Sequence, residues 1–244
     1  MANQSNSFTA LAAAFASICL LVSGCGLSAA NNNMQGKQLF QQGQYAQAIE
    51  MFQRSVNDDP RNADGYYNMA VTYYYLGKQQ KNATWLQQSD QLYRQALNLD
   101  PSHVDAYRGL AALLADAGRS QDAIQMVQNW RVQQPDSAEP VIELARLYRE
   151  AGDRSTATQL LADALNIDGN NARALKAMGM RREESGEYSL ALQNYIRSYE
   201  ANNTQADVAQ KIAALQGQTR TAQGIPPQVQ SAQVPGGINQ YAPR

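Results

Sequence analysis

Small and apolar residues recur along the chain with a nearly fixed spacing. Each unit of the pattern has a glycine, then a small residue in an amphipathic stretch, then a large apolar residue four positions later. The glycines lie 34, 41, 34 and 34 residues apart, at Gly43, Gly77, Gly118, Gly152 and Gly186. The small and large residues are Ala48 and Phe52, Ser89 and Tyr93, Ala123 and Val127, Ala157 and Leu161, and Ala191 and Tyr195. A repeated period of this length predicts a solenoid of stacked units.

Each unit of the pattern is expected to contain two helices. The second helix carries the small and large pair, and it is followed by residues that can end a helix, at Pro60, Pro101, Pro135, Gly169 and Asn203. The first helix precedes each glycine and carries an apolar residue followed by a small one, at Met69-Ala70, Leu110-Ala111, Leu144-Ala145 and Met178-Gly179. The five glycines are then expected to form the left-handed turns between the paired helices.

This arrangement resembles the tetratricopeptide repeat, in which a large apolar residue, Leu-Gly, Tyr, Ala, Phe and Pro follow one another over about 34 residues. The resemblance implies an all-α fold, a right-handed superhelical solenoid of about five helix-turn-helix units over residues 34–217. The units are expected at 29–62, 63–103, 104–137, 138–171 and 172–205. Such repeats are general scaffolds for binding peptides and proteins. The resemblance therefore implies a specific fold but only a general binding function.

The chain after the fifth unit divides into a cap and a tail. Val208, Ile212 and Leu215 share one face of a helix expected at 206–217, and this face suits a cap that covers the last apolar edge. Residues 218–244 are rich in Gln, Gly and Pro and are predicted to be disordered. The tail is either a solubilising segment or a short partner-binding arm that uses Ile225, Val234 or Tyr241.

Residues 1–24 are expected to be a lipoprotein signal peptide. The first 25 residues carry no charged side chain, and Phe8 to Val22 is an apolar run typical of a signal peptide and too short for a membrane span. The run ends in Val22-Ser23-Gly24-Cys25, which resembles a bacterial lipobox. That resemblance implies that the Cys25 thiol receives a diacylglycerol. The protein would then be anchored to the membrane by lipid only, without spanning it.

Residues 25–33 are accordingly expected to form the lipidated cysteine and a polar tether. The residue after Cys25 is Gly26 rather than aspartate, and in this respect the sequence resembles lipoproteins that are sorted to the outer membrane. We therefore expect the protein in the outer membrane, facing the periplasm. Against this interpretation, Met1 to Ser7 contains no Lys or Arg to make the usual basic signal region. The alternative is a secreted or periplasmic protein that is cleaved near Ala30.

The composition argues against several functional classes. A net charge of −1 without a long basic run argues against a nucleic-acid partner. The only histidine is His103 and the only cysteines are Cys19 and Cys25, so neither a metal-ligand cluster nor a disulfide framework is expected. No nucleophile, base and orienting group occur together as catalysis requires. We therefore expect no enzyme activity, cofactor, metal or small-molecule substrate.

In this family the first helices of successive repeats line a concave groove, and their register places ten candidate partner-binding residues there. Five are aromatic or apolar, at Phe40, Tyr67, Val71, Tyr74 and Tyr75, and five are basic, at Arg108, Arg146, Arg149, Arg173 and Lys176. We hypothesise that a peptide lies with its apolar part on the tyrosines and its acidic groups near the arginines. The alternatives are that the tyrosines pack between repeats and that the arginines pair with glutamates of the chain.

The interval of 41 residues holds seven extra residues between Gly77 and Ser89. Seven residues are about two helical turns, so the second helix of this unit is expected to lengthen without losing its apolar face. Trp85 lies on that extension, four residues before Ser89. Trp85 is either a partner anchor or a side chain packed on the end of the first helix.

The sequence thus favours a non-catalytic scaffold of the bacterial cell envelope that binds a peptide or protein partner in its groove. One alternative is an assembly lipoprotein of a type IV pilus or secretion system, because a lipobox followed by such repeats looks like the pilotin proteins. Another alternative is a regulatory subunit of a cell-wall enzyme. The sequence does not identify the partner.

Overall fold

Paired helices joined by short turns make up the described part of the chain, which in this computed structural model is residues 27–222. The first helix, α1, comprises residues 27–41. The helices that follow are α2 (Tyr45–Asp58), α3 (Ala63–Gln80), α4 (Ala83–Leu99), α5 (Val104–Asp116), α6 (Ser120–Gln133), α7 (Ala138–Glu150), α8 (Arg154–Ile167), α9 (Ala172–Glu184), α10 (Tyr188–Ala201) and α11 (Ala206–Ala222). They pack in sequential pairs followed by a cap helix, which confirms the predicted all-α repeat fold.

The helices fall into two compact units, Met1–Leu160 and Leu161–Arg244. In the first unit each helix from α2 to α6 packs against the next, and α5 also contacts α3 and α7. In the second unit α10 packs against both α9 and α11. No helix among residues 27–222 combines the length and the apolar character needed to cross a membrane.

The first helix of a repeat begins at a side chain that caps it. The capping side chain accepts a hydrogen bond from a backbone N–H of the first turn, which satisfies a donor that has no partner within the helix. This position recurs with the period of the repeat, at Asn62, His103, Ser137 and Asn171. The caps therefore set the start of α3, α5, α7 and α9.

The predicted small residues lie where two helices approach closely. Ala48, Ser89, Ala123, Ala157 and Ala191 are all buried, and so are the large residues four positions after them. Ser89 replaces alanine in this series, and its hydroxyl donates a hydrogen bond of 2.7 Å to the Ala70 carbonyl of the paired helix. The buried polar group is thereby satisfied, so the close approach is kept.

Four of the five predicted turn glycines have the left-handed conformation, with φ of +76° at Gly43, +74° at Gly118, +88° at Gly152 and +76° at Gly186. Gly77 does not, and the prediction was wrong there. It lies inside α3 and packs against α4, where an added Cβ would come within 2.7 Å of Leu86. The left-handed residue of this unit is Lys81, with φ of +52°.

The seven extra residues lengthen the second helix of this repeat, as predicted, and they lengthen its first helix as well. α3 has 18 residues where α5, α7 and α9 have 13 each. α4 has 17 residues where α6 and α10 have 14 each. The turn moves to Lys81 and Asn82, and Asn82 caps α4 through a hydrogen bond from the Trp85 backbone. The result is a hairpin longer than those of the other repeats.

The polar tether expected at residues 25–33 is helical from residue 27. Ala29 is buried, and its carbonyl accepts a hydrogen bond of 2.7 Å from the Ser55 hydroxyl of α2. Asn33 is buried as well, and its side chain accepts a hydrogen bond from Asn68 of α3. Ala29 and Asn33 thus pack on the neighbouring helices, and this packing extends α1 into the segment predicted to be a tether.

The cap helix α11 continues to Ala222, beyond its predicted end at residue 217. Val208 and Leu215 form a buried cluster with Ala191 and Tyr195 of α10, and Ile212 packs against it. The predicted cap face is therefore the one that packs on the last repeat. The signal peptide, Cys25 and residues 223–244 of the tail lie outside the described residues.

Candidate functional site

The first-helix face of the first unit is the surface on α1, α3, α5 and α7 where the sequence places its candidate residues. Tyr75 is exposed, and the other predicted residues of this unit are half-buried, at Phe40, Tyr67, Val71, Tyr74, Arg108, Arg146 and Arg149. Arg173 and Lys176 lie on α9 in the second unit. The face brings the tyrosines of α3 beside the charged residues of α5.

Tyr74 of α3 is bonded to α5. Its hydroxyl donates a hydrogen bond to the Asp116 carboxylate, and the Lys78 ammonium group bonds to the same carboxylate. Burial and the bond to Asp116 raise the pKa of Tyr74 to about 12. Burial raises the pKa of Asp116 as well, but the bonds from Lys78 and Tyr74 outweigh it and leave that pKa lowered. This triad fixes the spacing of the first helices of the second and third repeats.

Tyr67 lies against the cap of the next repeat. Its ring is 4.8 Å from that of His103, centroid to centroid. His103 Nδ1 accepts the capping bond from the Ala106 backbone, which leaves Nε2 3.2 Å from the Asp64 carboxylate of α3. Burial, followed by the nearby Asp105 carboxylate, raises the pKa of Tyr67. His103 therefore joins two repeats beside the predicted groove.

An aromatic cluster forms at the end of the first-helix face where α1 turns into α2. The Tyr75 ring lies 4.7 Å from Tyr45 and 6.1 Å from Phe40, and Phe40 and Tyr45 meet edge to face at 5.4 Å. The hydrogen bond with Tyr75 is the main cause of the raised pKa of Tyr45. Tyr75 is 42% exposed, so the cluster presents aromatic surface to solvent. The sequence did not identify Tyr45, because it begins the second helix of its repeat and the candidate residues were placed on first helices.

Two predicted arginines of the first unit, Arg108 and Arg146, are engaged with carboxylates of their own helices. Arg146 donates bonds of 2.7 Å to Glu143 and 2.6 Å to Glu150. Arg108 pairs with Asp105 at 2.8 Å. Glu143 is almost fully buried, so its charge requires the guanidinium beside it. The basic half of the predicted groove is therefore largely neutralised within the protein.

In the second unit, two ion pairs join α9 to the cap helix. Lys176 bonds to Asp207, and Lys211 lies 2.7 Å from Glu183. Glu183 also accepts a bond of 2.8 Å from the Tyr195 hydroxyl, and the bond from Lys211 is the main cause of its lowered pKa. Lys176 is thus part of the contact between the last repeat and its cap.

Trp85 is half-buried at the start of α4. It lines a cavity between α2 and the long hairpin of α3 and α4, where Tyr45, Tyr73 and Leu76 are its neighbours. Both roles considered for Trp85, partner anchor and packing on the first helix, stay predictions.

Residues 27–222 contain no group of three His, Cys, Asp or Glu side chains placed to hold a metal ion. Tyr74 and Lys78 bond to Asp116 between two helices of the first-helix face, whereas Arg108 and Arg146 pair within their own helices. This arrangement can present aromatic and polar surface to a peptide.

Two family models match the chain. The first is described as TPR repeat and matches residues 36–77, and the second is described as Tetratricopeptide repeat and matches residues 86–139. The interval between the matches contains the turn at Lys81 and the start of α4, where the second repeat is longer than the others. Both models describe scaffold repeats rather than a catalytic domain. A comparison with the curated proteins finds no match.

Several solved structures have a similar fold. TTC0263, described as a thermophilic TPR protein of Thermus thermophilus, aligns with a TM-score of 0.59 and 19% identity over 77% of this chain and 98% of its own. The pilF protein of Pseudomonas aeruginosa aligns with a TM-score of 0.54 and 16% identity over 82% of this chain and 93% of its own. At these identities the likeness concerns the fold alone.

Proposed function

The chain is a tetratricopeptide-repeat protein, and we propose that it is a non-catalytic scaffold of the bacterial cell envelope that holds a peptide or protein partner on its first-helix face. The observation that carries this proposal is the exposed aromatic surface of Tyr75 beside Phe40 on adjacent first helices. Flat aromatic side chains contribute large contact area at low conformational cost. A partner would gain most of its binding energy there.

The pairing of charges indicates what kind of partner the face suits. Arg108 and Arg146 already bond to carboxylates of the chain, and Asp116 bonds to Lys78 and Tyr74. A strongly charged peptide would have to compete with these pairs, and the pair of Arg146 with the buried Glu143 is costly to break. We therefore propose a partner segment with apolar or aromatic side chains and an accessible backbone, which the tyrosine hydroxyls can bond.

The envelope location rests on Cys25 and the lipobox before it. Only Gly26 separates Cys25 from α1, which begins at residue 27. Two residues span at most about 7 Å, so a lipid on Cys25 would hold the first repeat at the membrane surface. The scaffold would then present its partner close to the membrane, as an envelope assembly requires.

The second candidate is an assembly lipoprotein of a type IV pilus or secretion system. It is favoured by the order of a lipobox followed by the repeats. A regulatory subunit of a cell-wall enzyme would use the same face. The identity of the captured partner separates these candidates, since a secretin or pilin supports the second and a wall hydrolase or synthase the third.

The lipid anchor is tested by metabolic labelling with radioactive palmitate, followed by separation of the inner and outer membranes. The wild type and Cys19→Ser should incorporate label and sediment with the outer membrane, whereas Cys25→Ser should be unlabelled. Cys19→Ser is the matched control because it removes the other cysteine of the same segment. Label that persists in Cys25→Ser, or an unlabelled wild type, would contradict the anchor and favour the secreted form.

A further inference from the structure

The first helix, α1, presents two large apolar side chains to solvent. Leu27 is 76% exposed and Met34 is 55% exposed. Seven residues are close to two helical turns, so these side chains share one face and lie about 10 Å apart along the helix axis. Ala30 lies between them and is exposed as well. We call Leu27, Ala30 and Met34 the outer face of α1.

The opposite face of α1 packs on other helices of the first unit. Ala29, Asn33 and Gly36 are buried there. The Ala29 carbonyl and the Asn33 side chain accept hydrogen bonds from α2 and α3. Packing within the repeat therefore accounts for this buried face, but it does not account for the apolar side chains of the outer face.

Hydrogen bonds to α2 fix the rotation of α1 about its own axis. The Ser28 hydroxyl and the Asn32 amide donate bonds of 2.6 Å and 2.8 Å to the Asp58 carboxylate of α2. Turning Leu27 and Met34 inward would break both bonds and expose the buried face. The outer face is therefore a fixed feature of the fold rather than one rotational state of a loose helix.

The charges on and near α1 are compatible with a phospholipid surface. Residues 27–41 contain one Lys, Lys37, and no Asp or Glu. Lys37 is exposed three residues after Met34, and the carboxylates of Asp59 and Asp64 border the same recess. The local charge is thus partly balanced. Attraction to a membrane would come mainly from the apolar side chains, as in helices that lie at the headgroup boundary.

The position of Cys25 identifies what the outer face contacts. Cys25 precedes Leu27 by two residues, which span at most about 7 Å. A lipid on Cys25 would therefore bring Leu27 to the headgroups of the bilayer. We propose that the outer face of α1 lies on the phospholipid surface, with Leu27 and Met34 inserted between headgroups. This inference rests on the lipid anchor of the proposed function, and it adds which face of the first unit meets the membrane.

The second contact gives the anchor an orientation. A lipid on one cysteine limits the distance of the protein from the bilayer, but rotation about the single bonds of the linkage leaves its orientation free. Contacts at Leu27 and, about 10 Å further along the helix, at Met34 remove much of this freedom. Membrane attachment is also stronger when a lipid acts together with a second signal. The first unit is then held in one orientation relative to the bilayer.

A fluorescent label at position 34 tests the contact in the full, lipidated protein. Met34→Cys and Val132→Cys are labelled with the environment-sensitive fluorophore NBD and reconstituted into vesicles of phosphatidylethanolamine and phosphatidylglycerol. Val132 is the matched control, because it is an apolar side chain of the first unit that is 80% exposed but lies on α6. Circular dichroism establishes that both labelled variants fold. In the anchored protein the lipid blocks Cys25, so the label reacts with the new cysteine.

The label at position 34 should emit at shorter wavelength on vesicles, and lipids that are spin-labelled near the headgroup should quench it. The label at position 132 should show neither effect. Ala30→Asp, in the Met34→Cys background, places a charge in the middle of the outer face. Because a charge loses hydration among apolar lipid groups, this change should lower the quenching at position 34 about twofold or more.

The experiment separates failure of the anchor from failure of the contact. Labelled protein that does not sediment with the vesicles would overturn the anchor and this inference with it. Protein that sediments without quenching at position 34, or with equal quenching at position 132, would leave the anchor and overturn the contact. Quenching that Ala30→Asp does not reduce would overturn it too. Quenching at position 34 alone, reduced by Ala30→Asp, supports the outer face as the membrane contact.

Discussion

The Tyr74 hydroxyl donates a hydrogen bond to the Asp116 carboxylate, and this bond links α3 to α5 across 42 residues of sequence. Lys78 bonds to the same carboxylate. Tyr74, a residue of the predicted groove, is therefore used together with Lys78 and Asp116 to hold two repeats together. Tyr75, the next residue along α3, remains exposed to a partner.

The first prediction concerns stability at high pH. Because the pKa of Tyr74 is raised from 10.0 to about 12, its contribution is fully present below pH 10 and is lost as the pH rises towards 12. We expect the free energy of unfolding of the wild type to fall over this window by about 1 kcal/mol more than that of Tyr74→Phe, after allowance for solvent screening. Urea unfolding at several pH values measures this difference.

Tyr188→Phe is the control for that titration, because Tyr188 is an exposed tyrosine of the second unit. It should show the same alkaline loss as the wild type. An equal loss in Tyr74→Phe and the wild type would contradict the role given to the bond with Asp116.

The second prediction concerns the turn of the long hairpin. Lys81 has a left-handed conformation that glycine adopts without strain, so Lys81→Gly should stabilise the protein by about 0.5–1 kcal/mol. Gln79→Gly, two residues earlier inside α3, should instead destabilise it by about 1 kcal/mol. Thermal unfolding followed by circular dichroism checks the opposite signs. A destabilised Lys81→Gly variant would show that the turn is not at Lys81.

The third prediction concerns the close approach of α4 and α5. A Cβ added at Gly109 would lie 2.5 Å from the Tyr93 ring, which is buried and cannot move aside. Gly109→Ala should therefore cost about 1–2 kcal/mol, although alanine favours a helix. Gly217→Ala, in α11 with no atom near the added Cβ, should gain up to about 1 kcal/mol. Equal effects of the two changes in urea unfolding would contradict this packing.

The fourth prediction concerns His103 as a cap. His103→Ala should lose about 1 kcal/mol of stability, because the Ala106 N–H loses its acceptor. His103→Asn should retain most of it, since Asn62 and Asn171 cap the equivalent helices. Any loss that remains in His103→Asn measures the contact with the Tyr67 ring. If the alanine and asparagine variants melt alike, the capping role is wrong.

The repeat, its helix pairs and the buried small residues could be predicted because they follow one period. Ala48 and Phe52 recur as Ala191 and Tyr195, and each such pair is buried for the same steric reason. Gly77 was misinterpreted because a glycine in a turn and a glycine at a close helix approach look alike in sequence. The turn at Lys81 carries no sequence signal, since lysine rarely adopts a positive φ.

The contacts of the candidate site were harder to predict. The bond between Tyr74 and Asp116 depends on how two repeats stack, and side chains 42 residues apart meet only in the folded unit. The pairing of Arg146 with Glu143 and Glu150 follows from their spacing along one helix. Pairing of the arginines with glutamates of the chain was one of the two alternatives that the sequence analysis left open. The role of the first-helix face in binding remains a prediction.

The most direct test of the account is a pull-down from solubilised membranes, read by mass spectrometry, with Tyr75→Ala and Tyr188→Ala as matched variants. Both residues are exposed tyrosines, 42% and 48% accessible, but Tyr75 lies on the first-helix face and Tyr188 begins a second helix. Circular dichroism establishes that both variants fold. We expect Tyr75→Ala to capture about tenfold less of one defined partner than the wild type does. Tyr188→Ala should capture the same amount as the wild type. A partner that Tyr75→Ala retains and Tyr188→Ala loses would contradict the first-helix face as the binding surface.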